Sequence, residues 1–226
     1  MPQAYADGHV TIEIVPNLGR FGNNAYLVSS PRGGGVTVID APEGAEAIVE
    51  ALAGRPVERI IVTHSHFDHW LGFDVLRAHT PAPVFAGAEE TNLDAARAIR
   101  PLADGATLDV GGAELRVIHT PGHTPGSICL HIAGDRPGGR AGDRGGAVLT
   151  GDTLFPGGPG RTGSSAALAQ EIASITSQLH TLPDETVVLP GHGDATTIAR
   201  SIEEYRAFAS KRHPADLQGD VLWLES

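Results

Sequence analysis

The chain has 226 residues, 41% of them hydrophobic, with 16 basic against 27 acidic residues and a net charge of −11. This composition supports one sizeable packed core and excludes a disordered chain. The acidic balance argues against a nucleic-acid-binding protein, whose affinity rests on Lys and Arg. The single cysteine, Cys129, allows no internal disulfide and gives no sign of an oxidising compartment. The N-terminus has neither the basic start nor the apolar core of a secretory signal. No run approaches the ~20 apolar residues of a membrane span. A cytoplasmic protein without membrane or nucleic-acid partners is the expectation.

In chain order, residues 10–15, 25–29 and 36–39 are short and β-branched. Turn-forming Pro16-Asn17, Gly22-Asn23-Asn24 and Gly33–Gly35 separate them, which is the pattern of strands joined by tight turns. Apolar spacing predicts a helix over 43–53, stopped by Gly54, and then a buried strand over 57–63. Helices are predicted over 70–79, 89–99, 166–179 and 197–209. Strands are predicted over 84–86, 107–110, 114–118, 127–132, 147–150 and 186–189. The low-complexity stretch 134–146 (GDRPGGRAGDRGG) reads as a charged surface loop. This alternation suits a mixed α/β protein of sheet layers covered by helices, taken as one domain spanning 1–226.

The chemistry concentrates in His64-Ser65-His66-Phe67-Asp68-His69, directly after the strand over 57–63. Residues i and i+2 of an extended chain point the same way, so His64 and His66 can converge on one ion. A turn after Phe67 would send Asp68 and His69 towards a second. Imidazole with carboxylate suits zinc, and also iron or manganese. Three further segments place a donor after an apolar strand: His123 in a Pro/Gly-framed loop, Asp152 in GDTLF and His192 in PGHG. Rigid strand ends with adjoining loops are suitable places for function. Asp40, at another strand end, is positioned to take the second N–H of a ligand histidine. His9, His79, His119, His131, His180 and His213 lie outside these segments and read as surface or supporting residues, and Cys129 as a small buried hydrophobe.

The HSHFDH run with Gly72 resembles the HxHxDHxxG signature of the metallo-β-lactamase superfamily, and the resemblance extends over most of the chain. It implies a four-layer αββα sandwich with the site at one edge. It implies His64, His66 and His123 on a first metal, Asp68, His69 and His192 on a second, and Asp152 bridging them, with Asp68 also given a catalytic role. GDTLFPGGPGR (151–161) is similar to the glyoxalase II-like branch, the hydroxyacylglutathione hydrolases and persulfide dioxygenases. The expected activity is thioester hydrolysis by a metal-bound hydroxide, with two zinc ions per chain and a small acyl thioester as substrate. A metal-activated water ionises near neutral pH, and a thiolate leaves without a general acid because its pKa is about 8.5. The alternatives are a mononuclear iron persulfide dioxygenase using His64, His123 and Asp152, an ester or lactone hydrolase, a nuclease, and a metal-binding protein without activity. The chain departs from typical glyoxalase II in having few residues after His192. Tyr205, Arg206, Lys211 and Arg212 read first as a solvated helix face, and second as replacements for some of the missing glutathione contacts.

Overall fold

The computed structural model describes residues 3–91, 98–134 and 144–226. One sheet contains β1 (Gln3–Ala6), β2 (Thr11–Leu18), β3 (Asn23–Ser29), β4 (Val36–Ile39), β5 (Val57–Val62), β6 (Val84–Gly87) and β7 (Arg100–Leu102), in that spatial order. Its first four strands pair antiparallel and the last four parallel. The crossovers are α1 (Glu46–Leu52) between β4 and β5, and α2 (Phe73–His79) between β5 and β6. A second sheet has the order β15-β14-β11-β10-β9-β8. Its strands are β8 (Thr107–Val110), β9 (Ala113–His119), β10 (Ile128–Gly134), β11 (Arg144–Gly151), β14 (Val187–Pro190) and β15 (Thr196–Thr197). A small hairpin of β12 (Leu154–Phe155) and β13 (Gly158–Pro159), then α3 (Ser165–Gln178) and α4 (Ile198–Ala209), complete the described elements.

The period-2 direction of strand side chains explains the layering. Ala25, Leu27, Val36, Val38, Ile60 and Val62 point outwards and pack with Ile48 and Leu52 of α1 and Phe73 and Leu76 of α2. Their neighbours Tyr26, Val28, Ile39 and Ile61 point inwards and meet Val117, Ile128, Leu130 and Leu149 of the second sheet. On that sheet's far side Ile118, Cys129, Val148 and Val188 pack with Leu168 and Ile175 of α3 and Phe208 of α4. The central strands are thus apolar on both faces, which is why they read as unbroken runs. The protein is a four-layer αββα sandwich of the metallo-β-lactamase type.

Most of the expected elements are recovered with small shifts, the helix over 89–99 excepted. The helix expected from Trp70 starts instead at Phe73. Phe67–His69 forms a 3-10 turn, and hydrogen bonds from Ala41 N to His69 O and from Gly72 N to Ala41 O (both 2.8 Å) hold the segment against the end of β4. Within the stretch 134–146, Gly134 ends β10 and Arg144–Gly146 begin β11, so pairing of the two strands shortens the loop; residues 135–143 lie outside the described residues. Residues 92–97 of the helix expected over 89–99 also lie outside them, and the flanking residues 89–91 and 98–99 are not helical. Strands β1 and β7, the β12–β13 hairpin and β15 are too short or too polar to announce themselves.

Candidate metal centre

Parallel pairing of β4 with β5, and of β11 with β14, brings four strand ends to one edge of the sandwich. His64 follows β5 and Asp152 follows β11, while His192 lies just beyond the end of β14. His66 keeps extended backbone (φ −63°, ψ 134°), and the 3-10 turn then turns Asp68 and His69 inwards. His123 comes from the loop joining β9 to β10. All seven residues singled out in the sequence meet here. Their donor atoms form three overlapping groups, each within 4.8 Å: His64, His66 and His123; His64, His69 and Asp152; Asp68, His69 and His192.

Asp152 sits between the two sides. Its carboxylate lies 3.2 Å from His69 Nε2, 3.6 Å from His123 Nε2 and 3.5 Å from His192 Nε2. Asp68 Oδ2 lies 3.3 Å from His192 Nε2 and 3.5 Å from His69 Nε2. His66 Nδ1 and His123 Nε2 are 2.8 Å apart.

The outward nitrogens fix the tautomers. His123 Nδ1 donates to Arg161 O (2.9 Å) and His192 Nδ1 to Phe21 O (3.1 Å), since a carbonyl can only accept. His69 Nδ1 donates to Asp40 Oδ2 at 2.8 Å. Thr63 Oγ1 donates to Asp40 Oδ2 (2.9 Å) and so accepts from His64 Nδ1 (3.1 Å). Each neutral ring therefore presents Nε2 as a bare lone pair, the form a metal requires. The buried Nε2 atoms of His64 and His69 and the Oδ1 atom of Asp152 have no hydrogen-bond partner. Buried polar atoms are normally satisfied, so this cluster fits a group that accepts electron pairs.

Electrostatics without a bound cation point the same way. Burial and the charge of His69 push the His64 ring well below the usual imidazole range. Burial opposes charge on His69, but Asp152 and Asp40 outweigh it and raise that ring well above its ordinary value. Burial alone would raise Asp68; hydrogen bonds with His192 and Asn23 instead bring it down to about 2. His192, also opposed by burial, is lifted to about 9 by Asp152 and Asp68. The carboxylates of Asp152, Asp40 and Asp68 thus favour positive charge at this edge.

Asp40 fulfils its expected place, and with an unusual backbone: φ is +61°, a region that Asp and Asn tolerate better than most residues. Thr63 and Asn23 are partners that the sequence reading missed. Asn23 Nδ2 donates to Asp68 Oδ2 (2.9 Å) and lies 3.2 Å from His192 Nε2. Asn24 donates its main-chain N–H to Gly191 O (2.7 Å) and its side-chain amide to Gly193 O (2.9 Å), and Tyr26 Oη donates to Pro190 O (2.7 Å). The start of β3 thus clasps the end of β14 across the two sheets. The available clue was a pair of asparagines ahead of an apolar strand, which reads equally as a turn. Gly191 is required by close approach, because a Cβ there would stand 2.4 Å from Asp152 Oδ1.

A cavity of about 310 Å³ opens over the donors, lined by Asp152, Phe155, Arg161, His192, Asp220 and Leu222, among others. Arg161 makes only a loose, exposed pair with Asp220 (3.8 Å). Trp70 packs into the core against the first sheet, and His119 turns away to Pro125 O. The Tyr205 ring meets Trp223 edge-on (5.4 Å) and His180 at a tilt (5.7 Å), and Lys211 Nζ donates to Leu224 O and Ser226 O. Both brace the segment after α4.

A family model described as the metallo-beta-lactamase superfamily matches residues 18–192, ending on the last of the seven donors. A hydroxyacylglutathione hydrolase of Cereibacter sphaeroides is 35% identical over 186 residues, covering 79% of this chain. The chain spans 65% of that relative's length. ETHE1 from Myxococcus xanthus superposes with a TM-score of 0.69 at 27% identity, covering 89% of this chain and 85% of that one. A protein solved in a di-iron-bound form superposes with a TM-score of 0.64 at 30% identity, covering 84% and 96%. The layered fold, the donor cluster and a family match over most of the chain agree, and this protein is a member of the metallo-β-lactamase superfamily.

Proposed function

We propose that this single-domain chain is a dinuclear, zinc-dependent hydrolase of small acyl thioesters. The observation that carries the reading is the placement of Asp152 within 3.2–3.6 Å of His69, His123 and His192, which belong to two different donor groups. His64, His66 and His123 would hold one ion, Asp68, His69 and His192 the other, with Asp152 shared. Bound divalent metal supplies an acidic water that ionises near neutral pH and a Lewis acid for a carbonyl oxygen.

The chain's own residues do the rest. Thr63 and Asp40 keep His64 and His69 in the tautomers that leave Nε2 free. Asn23 holds Asp68 Oδ2 beside His192, where the carboxylate stays ionised. Outside the donors, the titratable groups lining the cavity are Arg161 and Asp220. Among the described residues, no His, Cys, Tyr or Lys outside the donor set lines it to protonate a leaving group. A thiolate leaves without that help, and an amine does not. Several relatives named hydroxyacylglutathione hydrolase support the same reading.

The test is turnover of an acyl thioester panel, S-lactoylglutathione included, by zinc-loaded protein, with a β-lactam amide for comparison. Thioester cleavage well above amide cleavage is expected; no thioester turnover would refute the reading. The second reading, iron held by His64, His123 and Asp152 in a persulfide dioxygenase, draws on the similarity to ETHE1 and to the di-iron-bound protein. Oxygen uptake with a glutathione persulfide distinguishes it.

A further inference from the structure

The surface around the donors is largely apolar; the Arg20 guanidinium lies over the Phe21 ring (4.9 Å) and pairs with Glu43 (3.6 Å). Among the described residues, the exposed large hydrophobic side chains are Phe21, Phe67, Leu71, Leu222 and Leu224. Three of them border the site directly. Phe67 lies between His66 and Asp68, Phe21 accepts the His192 Nδ1–H through its carbonyl, and Leu222 lines the cavity beside Asp152 and His192. The Phe21 and Phe67 rings meet edge-on at 5.3 Å, and the Phe155 ring lies 6.4 Å from that of His192. Exposed apolar surface gathered in one place marks a binding site.

The mouth has two lobes that share His123 and Arg161. The first, of about 310 Å³, carries Phe155, Pro156, Val221 and Leu222. The second, of about 530 Å³, carries His66, Thr162, Gly163, Gln218 and Gly219. Among the described residues, and apart from the donor histidines, Arg161 is the one basic residue lining either lobe. Glutathione presents two carboxylates, and anions of that kind are recognised by paired or forked cations. Lys211, in the segment after α4, is spent on Leu224 O and Ser226 O.

Resting on the thioester reading, we infer that the preferred substrate joins an apolar acyl group, seated against Phe155 and Leu222, to a neutral or singly charged small thiol in the polar lobe, and is not a glutathione conjugate. Apolar area removed from water strengthens binding with each added methylene, so the preference is measurable as a chain-length dependence.

The experiment uses zinc-loaded protein and pairs binding with turnover. Calorimetry with the non-hydrolysable thioethers S-hexyl- and S-methyl-N-acetylcysteamine should show the hexyl compound binding about tenfold or more tightly. S-hexylglutathione should bind no tighter than its neutral counterpart. Leu222→Ser and Phe155→Ser should each reduce the hexyl advantage, and neither residue is one of the seven donors. Equal affinity for hexyl and methyl, or about tenfold tighter binding of S-hexylglutathione, would overturn the inference. Chain-length-dependent binding without cleavage of hexanoyl-N-acetylcysteamine or any other thioester would uphold the apolar pocket and refute thioester hydrolysis.

Discussion

A single carboxylate, that of Asp40, reaches two of the donor histidines: His69 directly and His64 through the Thr63 hydroxyl. Asn suits the same left-handed backbone but brings an N–H where an acceptor is required. Asp40→Asn is therefore expected to weaken metal binding by about 10–100-fold with unchanged circular dichroism, as read by competition with a chromophoric chelator. Unchanged affinity would show that the rings are held by other means. Glu171, on α3, is a second buried carboxyl. It is inaccessible to solvent, has neither oxygen in a well-aligned hydrogen bond, and gains only partial relief from the Gly160 backbone. Burial pushes it up to about 9. The folded state then keeps a proton that the unfolded state releases near pH 4.5, so this residue lowers stability progressively as pH rises from there towards 9. Glu171→Gln should be more stable than the parent at pH 8, by on the order of 2 kcal/mol, and lose that advantage near pH 5. Denaturant melts at the two pH values check it, and an advantage independent of pH would contradict the assigned cause.

At the scale of elements, the strands on both sides of the site were legible because burial on both faces leaves short apolar runs, as in residues 60–62 of β5 and 128–130 of β10. The donors were legible for a related reason. Each stands directly after such a run or in a Pro/Gly-framed loop beside one. The supports were not. Thr63 reads as the last residue of a strand and Asn23 as part of a turn, and their partners Asp40 and Asp68 are 23 and 45 residues away. Contacts of that separation leave no local pattern. The start of α2 was misplaced because the 67–72 segment is shaped by hydrogen bonds to Ala41, on another strand's end. The turn after β14 shows how tightly elements are fitted here. Gly191→Ala would set a methyl 2.4 Å from Asp152 Oδ1 and 2.6 Å from His69 Cε1. Because ångström-scale misplacement costs about 100-fold, kcat/KM should fall by about that factor, with lowered metal content. Near-parental activity and metal content would mean that the turn yields easily.

For the whole molecule, two sheets from successive parts of the chain each deliver donors to a shared edge, and the Asn23–Tyr26 clasp on β14 ties one sheet to the other. Among the described residues no helix is long and apolar enough to cross a membrane. The central claim is that this edge holds two metal ions, and the most direct measurement is metal identity and stoichiometry by plasma mass spectrometry on protein purified without added metal. About two zinc ions per chain are expected, the number that two donor sets with a shared carboxylate call for. About one iron per chain with little zinc would contradict it and favour the dioxygenase.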